Sequence, residues 1–168
     1  MSELPERRSR LRQYQVQLLE RMQAAKTGAT ESGRELGVLI GGRLCLLDLT
    51  QISEIVPLQT PTPVPLTQDW YLGLVNLRGH LTGVIDLARY RQQDAGDAAP
   101  SERRLISFAP GLGFNCALLV ERVLGLRKLA DMEAVEADQF RDAEGQQWLR
   151  IDLAQLVREP RFVQVGLV

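Results

Sequence analysis

Short apolar runs separated by polar turns occupy most of the chain from residue 36 onward. Leu36–Ile40 and Leu44–Leu47 flank Gly41-Gly42-Arg43, and this spacing predicts a β-hairpin with a glycine turn. Trp70–Leu77 and Leu81–Leu87 predict a second hairpin. Further apolar runs of strand length predict strands at Leu105–Phe108, Phe114–Val120, Val123–Leu129 and Trp148–Leu153.

The segments between these runs predict connections of several kinds. Asp48–Val56 is predicted as a one-turn helix or a further strand. Thr60–Pro65 carries alternate prolines, so it lacks the donors of a central strand and is predicted as an extended connection. Arg91–Arg104 is polar and is predicted as an exposed loop. Asp152–Val157 predicts a short helix that stops at Pro160.

The N-terminal part of the chain has a different pattern. Apolar residues recur at helical spacing over residues 6–25 and predict an amphipathic helix. Residues 27–34, rich in Gly, Ser and Thr, predict a linker. We therefore divide the chain into a helix and linker (1–34), a domain (35–160) and a tail (161–168), with the loop at 91–104 near the divide between two halves of the domain.

Many short strands with Gly and Pro turns favour a mainly β fold, a barrel or sandwich, over a fold of alternating strands and helices. The chain of 168 residues carries 20 basic and 21 acidic residues, a net charge of −1, so it offers no general attraction to nucleic acid or anionic membranes. We find no secretory pattern and no run of roughly 20 apolar residues, and we expect a cytoplasmic protein without membrane insertion. Cys45 and Cys116 lie in apolar runs and are predicted to be buried thiols.

The residues that carry enzymatic chemistry are sparse. His80 is the single histidine, so no metal pair and no catalytic triad can be built on spacing. The carboxylates Asp48, Glu54, Asp86 and Asp152 are scattered, and Asp86 and Asp152 are expected to close strands. We therefore predict no catalytic residues, no metal site and no cofactor.

Gly73-Leu74-Val75-Asn76-Leu77-Arg78-Gly79, followed by Val84-Ile85-Asp86-Leu87, resembles the signature of the CheW-like family. Ile52–Ile55, the proline-rich segment and Leu119–Val123 occur in the order typical of that family. The resemblance implies two packed five-stranded barrels and a non-catalytic adaptor that joins a chemoreceptor to a CheA-type histidine kinase. The N-terminal helix and the ending Pro160–Gly166 resemble the PilI-like branch, which controls type IV pilus twitching motility.

The resemblance also implies two binding surfaces and a structural motif. By it, the regulatory domain of the kinase binds at Ile52, Glu54 and Val56, and the cytoplasmic tip of the receptor, or a second face of the kinase, binds at Arg78, Val120 and Val123. Asn76, Gly79 and Asp86 are assigned to a structural motif, since Asn tolerates left-handed conformations and Gly accepts positive φ. For Val120 and Val123 we favour burial over contact. Arg78 has a structural alternative, in which its guanidinium ties the turn by pairing with a carboxylate such as Asp86.

Three departures and three alternatives remain at this point. Gly83 stands where the family usually has proline, Glu121 replaces a shorter acid, and the segment between Leu129 and Trp148 is short, which leaves the outer strands of the second barrel in doubt. The alternatives are a flagellar-type chemotaxis adaptor, a small-ligand barrel and a nucleic-acid-binding barrel. Aromatic residues at 5% of the chain argue against the last, because such barrels stack bases on aromatic side chains.

Overall fold

A computed structural model describes residues 34–93 and 99–166. The predicted helix over residues 6–25, most of the predicted linker and residues 94–98 of the predicted loop lie outside these ranges. The strands in the described part are β1 (Arg34–Ile40), β2 (Arg43–Asp48), β3 (Ile52–Pro57), β4 (Tyr71–Leu77), β5 (His80–Ile85), β6 (Arg104–Phe108), β7 (Cys116–Val120), β8 (Arg122–Lys128), β9 (Glu133–Glu136), β10 (Gln139–Arg141) and β11 (Gln147–Ile151). The short helices are α1 (Leu87–Tyr90), α2 (Leu153–Leu156) and α3 (Pro160–Val163), and 3₁₀ turns cover Leu49–Gln51, Pro100–Glu102, Pro110–Leu112 and Leu129–Asp131. The predicted mainly β fold class is confirmed.

The strands form two sheets whose members are interleaved along the chain. One sheet has six strands in the order β8-β1-β2-β11-β10-β9, and the other has five in the order β3-β6-β7-β5-β4. The chain leaves the six-stranded sheet at Leu49–Gln51 and returns to it at Glu121, between β7 and β8. Residues 91–104, which we predicted near the divide between two halves, instead connect β5 and β6 within the five-stranded sheet.

Both predicted hairpins are present. β1 pairs with β2 across Gly41-Gly42, and β4 pairs with β5 across Arg78-Gly79, both antiparallel. Two parallel pairings, β2 with β11 and β5 with β7, join strands that are distant in sequence. These parallel pairings bring later parts of the chain against both hairpins.

The connections also agree with the sequence in part. Asp48–Val56 contains both predicted alternatives, since a 3₁₀ turn leads directly into β3. The proline-rich segment lies outside the strands, except for one bridge between Thr62 and Leu74. β9 and β10 lie in a segment where the apolar runs predicted no strand. All four β9 residues are exposed, so no buried face alternates along it. These two strands are the outer strands whose presence was in doubt because the segment between Leu129 and Trp148 is short.

We had predicted that Asp86 and Asp152 close strands. Both residues instead start helices. The Asp86 carboxylate accepts a hydrogen bond from the Arg89 N–H at 3.2 Å, and that of Asp152 accepts from the Ala154 N–H at 3.0 Å. Both acids are therefore N-caps, a role for which a short carboxylate is well suited. Pro160 starts α3 rather than simply ending a helix, because proline has no N–H to lose at the first helical position.

The core of the five-stranded sheet contains a cluster of buried apolar side chains: Val75, Leu77, Val84, Leu105 and Ala117. Cys45 and Cys116 are free and buried, as predicted. Burial raises the pKa of the Cys45 thiol to about 11 and raises the pKa of Cys116 as well. Among the described residues, no helix combines the length and apolar character that crossing a membrane requires.

Candidate partner-binding groove

A groove with a volume of about 490 Å³ opens beside the turn between β4 and β5. Leu77 is buried in its floor and Phe108 in its wall, whereas Arg78 is exposed at its rim. The lining comes from β3, the β4–β5 hairpin, the end of β6 and the approach to β7: Ser53, Glu54, Leu77, Arg78, His80, Thr82, Ser107, Phe108, Pro110, Gly113, Phe114 and Asn115. The groove therefore combines an apolar floor with a charged rim.

The turn at the rim is a two-residue hairpin turn in which an arginine, not only a glycine, has a positive φ. Arg78 has φ of 52° and Gly79 has φ of 84°, so both central residues adopt the left-handed conformation of a type I′ turn. The Asn76 side chain accepts a hydrogen bond from the Gly79 N–H at 2.7 Å. The Asn76 side chain thus closes the turn onto the Gly79 backbone, and Arg78 takes the left-handed conformation beside the glycine.

Arg78 and Glu54 form an ion pair across the rim. Arg78 Nη1 lies 3.0 Å from Glu54 Oε1, and the two side chains are 68% and 21% exposed. The N–H of Glu54 donates a hydrogen bond to Ser107 Oγ at 2.9 Å, which fixes the backbone of β3 beside β6. The resemblance had placed these two residues on separate partner surfaces, whereas the structure places them in one contact.

Asp86 is not the partner of Arg78. Its carboxylate caps α1 and pairs with Arg89, with Oδ2 3.5 Å from the Arg89 Nε. The structural alternative for Arg78 therefore named the wrong carboxylate, because Asp86 already binds residues of its own helix. Arg78 pairs with Glu54 instead.

Ile52 does not offer a contact surface, because it is fully buried at the start of β3. Val56 is half-buried and packs against the apolar cluster of the five-stranded sheet. Of the three residues implied for kinase binding, Glu54 is the one that lines the groove. The implied kinase contact at Ile52 is therefore wrong for this fold.

Val120 and Val123 lie away from the groove. Val120 is fully buried in β7, so the contact implied for it is wrong, and the alternative of burial holds. Val123 is half-buried in β8 of the six-stranded sheet, where it lies opposite Val38. Between them, Glu121 is almost buried and accepts a hydrogen bond from the Gly42 N–H at 2.8 Å, so this longer acid links β7 to the first hairpin turn.

The opposite wall of the groove was missed by the sequence analysis. The Gly83 N–H donates to the Asn115 carbonyl at 3.2 Å, and Asn115 Nδ2 donates to the Leu81 carbonyl at 2.5 Å. These bonds accompany the parallel pairing of β5 with β7, and they bring Phe114 and Pro110 to the groove. The apolar run at residues 114–120 predicted a strand, but no local pattern predicted which strand it would join.

His80 is exposed and lines the groove. In the part of the chain that the structure describes, no three His, Cys, Asp or Glu side chains come together in a way that would hold a metal ion. The chemistry that the groove offers is an apolar surface, one cation paired with one carboxylate, an imidazole and several hydroxyl groups. This set suits recognition of a partner surface that is apolar with polar edges.

A sequence model of the CheW-like domain matches residues 35–160. The chain belongs to the CheW-like family. The CheW-like match begins within β1 and ends at the first residue of α3, so it contains both sheets and the groove.

Named relatives agree with this membership. Protein PilI of Pseudomonas aeruginosa is 24% identical over 103 residues, which are 61% of this chain and 57% of PilI. Chemotaxis protein CheW of Bacillus subtilis is 34% identical over 64 residues, 38% of this chain and 41% of that protein. The matched stretches thus span about half the length of these relatives.

A solved structure also resembles the fold. The crystal structure of the scaffolding protein TtCheW from Thermoanaerobacter tengcongensis matches with a TM-score of 0.63 at 20% identity. The match covers 79% of this chain and 97% of TtCheW. The CheW fold predicted from the signature residues is confirmed, with sheets of six and five strands in place of two sets of five.

Proposed function

We propose that this protein is a non-catalytic adaptor that couples a chemoreceptor to a CheA-type histidine kinase. Membership of the CheW-like family supports the role, as do relatives named a chemotaxis protein and a scaffolding protein. The similarity to PilI supports a pathway that controls type IV pilus twitching motility, with flagellar-type chemotaxis as the alternative. In this role the protein works in the cytoplasm and joins receptor arrays at the membrane.

One observation carries the proposal, namely the conformation of Arg78. A left-handed backbone at a residue other than glycine costs about 1 kcal/mol, and glycine at the same position would avoid that cost. The ion pair with Glu54 does not explain the choice of arginine, because a pair with so exposed a member adds little to stability. Leu66 and Gln92 also have positive φ, and Arg78 differs from them because its charged side chain stands at the rim of the groove.

The groove fits an amphipathic helix such as the tip of a chemoreceptor. Apolar side chains of the helix would contact Leu77 in the floor and Phe108 and Phe114 in the wall, as in other helix-in-groove complexes. A guanidinium has five N–H donors, more than one carboxylate oxygen accepts, so Arg78 can bind a receptor carboxylate while it contacts Glu54. Receptor binding would thereby change the charge environment of Glu54.

The kinase surface would lie along β3. This strand forms one edge of the five-stranded sheet, and an edge strand offers backbone N–H and C=O groups to a partner. Glu54 lies on β3 and contacts Arg78, so the kinase surface and the receptor groove share a border. Binding of both partners at this border would hold the kinase at a high local concentration near the receptor and let the receptor bias the kinase.

The test is a calorimetric titration with two separate partners, a CheA-type regulatory domain and a chemoreceptor cytoplasmic tip. Arg78→Gly is the decisive variant, because glycine suits the left-handed turn and the fold should be retained. We expect Arg78→Gly to weaken receptor binding about tenfold, as for loss of a charged contact at an interface. Arg89→Ala is the matched control, since Arg89 is also an exposed arginine paired with a carboxylate but lies outside the groove.

Glu54→Gln tests the kinase side with the same control. We expect a weaker kinase complex and an unchanged unfolding midpoint, because the Glu54 ion pair contributes little to stability. Absence of binding to either partner by the folded native protein would refute the adaptor role. Equal receptor affinity for the native protein and Arg78→Gly would refute the receptor site at this groove.

A further inference from the structure

Five aromatic rings form a cluster that adjoins the groove: Trp70, Tyr90, Phe108, Phe114 and Phe162. Phe162 is fully buried at the centre of this cluster. Its ring centroid lies 5.7 Å from Trp70, 5.6 Å from Tyr90, 6.2 Å from Phe108 and 5.3 Å from Phe114. Since Phe108 and Phe114 also line the groove, Phe162 packs directly behind part of the groove wall.

The segment that carries Phe162 is attached to the domain on both sides of this ring. On one side, the Tyr90 hydroxyl donates to the Glu159 carboxylate, and the Arg161 guanidinium carbon lies 4.3 Å from the centre of the Tyr90 ring. On the other side, the Gln68 N–H donates to the Val165 carbonyl at 2.8 Å. We name residues 159–166 the C-terminal clamp. Phe162 lies beyond residue 160, where the CheW-like domain match ends.

We propose that the C-terminal clamp sets the shape of the groove, with Phe162 as the positioning residue for Phe108 and Phe114. Protein interiors are close-packed, so a ring that contacts four others limits the orientations that each of them can take. Removal of the Phe162 ring leaves a cavity into which Phe108 and Phe114 can turn, away from the groove. The groove would then lose part of its apolar wall while Arg78 and Glu54, on other elements, stay in place.

The shape of the wall can be tested without any partner, whereas the effect on receptor affinity rests on the proposed function. Phe162→Leu is the main variant, because leucine keeps an apolar side chain in the site and removes the ring. Val163→Ala is the matched control, because Val163 is the next residue of α3 and is 49% exposed. Phe162→Ala is added as the larger perturbation.

Hydrogen exchange followed by mass spectrometry measures how well the backbone of the groove wall is protected. For Phe162→Leu we expect amide exchange over residues 107–116 to rise about tenfold, with a much smaller rise over residues 36–47 of the six-stranded sheet. Val163→Ala should leave both regions unchanged. If Phe162→Leu raises exchange equally in both sheets, Phe162 is a general core residue and the proposal is overturned. The proposal is also overturned if exchange over residues 107–116 stays unchanged, because Phe162 then does not hold the wall.

Titration with the receptor tip separates this proposal from the function. A weaker receptor complex for Phe162→Leu, with unchanged kinase binding, supports the clamp as a determinant of the groove. If residues 107–116 respond but the native protein binds no receptor, the clamp is supported and the proposed function fails. If Phe162→Ala does not fold, Phe162→Leu alone decides the outcome.

Discussion

Replacing Arg150 by methionine should destabilise the fold, because it leaves the buried Glu35 carboxylate of the six-stranded sheet without its partner. Glu35 on β1 is buried, and its carboxylate pairs with the Arg150 guanidinium on β11. The same guanidinium lies 3.1 Å from Asp48 Oδ2 on β2, the strand that lies between β1 and β11. Arg150 therefore links three neighbouring strands through two carboxylates.

The size of the effect follows from the burial of the two groups. The Glu35 side chain is 1% exposed and that of Arg150 is 26% exposed, so water replaces little of a lost interaction at Glu35. Removing one partner of a buried pair typically costs about 3–5 kcal/mol, because the other charge stays buried without compensation. With a urea dependence of about 2 kcal/mol per molar, the unfolding midpoint should fall by about 2 M in urea.

The cost should depend on pH. Burial raises the pKa of Glu35 above 4.5, while its hydrogen bond to Arg150 and the charge of Arg150 lower it. Loss of Arg150 thus raises this pKa further, and the folded variant binds a proton more readily than the unfolded chain. An acid with a raised folded pKa destabilises the fold as pH rises from 4.5 through that pKa. The loss of unfolding free energy in Arg150→Met should therefore be small near pH 4.5 and reach its full size well above the raised pKa of Glu35.

The assay is urea unfolding of the native protein and of Arg150→Met at several pH values from about 4.5 to 8. The double variant Glu35→Gln with Arg150→Met is the control, because it removes the buried charge and should recover much of the stability at the upper pH. Two results for Arg150→Met would refute the assignment of a buried, charged Glu35. One is a loss of unfolding free energy below about 1 kcal/mol at the upper pH, and the other is an equal loss at all pH values.

Three further outcomes follow from local geometry and burial. Gly73 has φ of 134°, and a Cβ there would lie 2.2 Å from the Thr62 carbonyl oxygen, so Gly73→Ala should lose about 3 kcal/mol in urea unfolding. Gly111→Ala, with open space around the Cβ, should change stability by less than about 0.5 kcal/mol. Cys45 and Cys116 should resist a thiol reagent at about pH 8 until urea unfolds the protein, since burial raises both thiol pKa values.

The parts of the fold that local sequence determines were predicted well. Two-residue turns with positive φ fix the register of the strands on either side, so both hairpins could be read from apolar runs around Gly41-Gly42 and Arg78-Gly79. The pairing of β5 with β7 depends on residues far apart in the chain, and no local pattern encodes it. The exposed strand β9 has no buried face, so the period of two that identifies strands is absent.

One departure from the family pattern has a local explanation in the structure. Gly83 stands where the family usually has proline, and the Tyr71 ring occupies the space beside it. A Cβ at position 83 would lie 2.6 Å from the Tyr71 hydroxyl oxygen. Gly83 and Tyr71 therefore fit each other across β4 and β5, and this could not be deduced from either residue alone.

The candidate site shows the same division between local and distant information. Glu54 and Arg78 were each selected from the family resemblance, and both line the groove. Their contact depends on β3 and the β4–β5 turn meeting across the five-stranded sheet, so the sequence alone assigned them to different partners. Because the two charges interact directly, a change at one alters the environment of the other. The double variant Glu54→Arg with Arg78→Glu keeps opposite charges within the rim but reverses the charge that each position offers to a partner, so binding that stays lost in it identifies a contact with the partner rather than the contact within the rim.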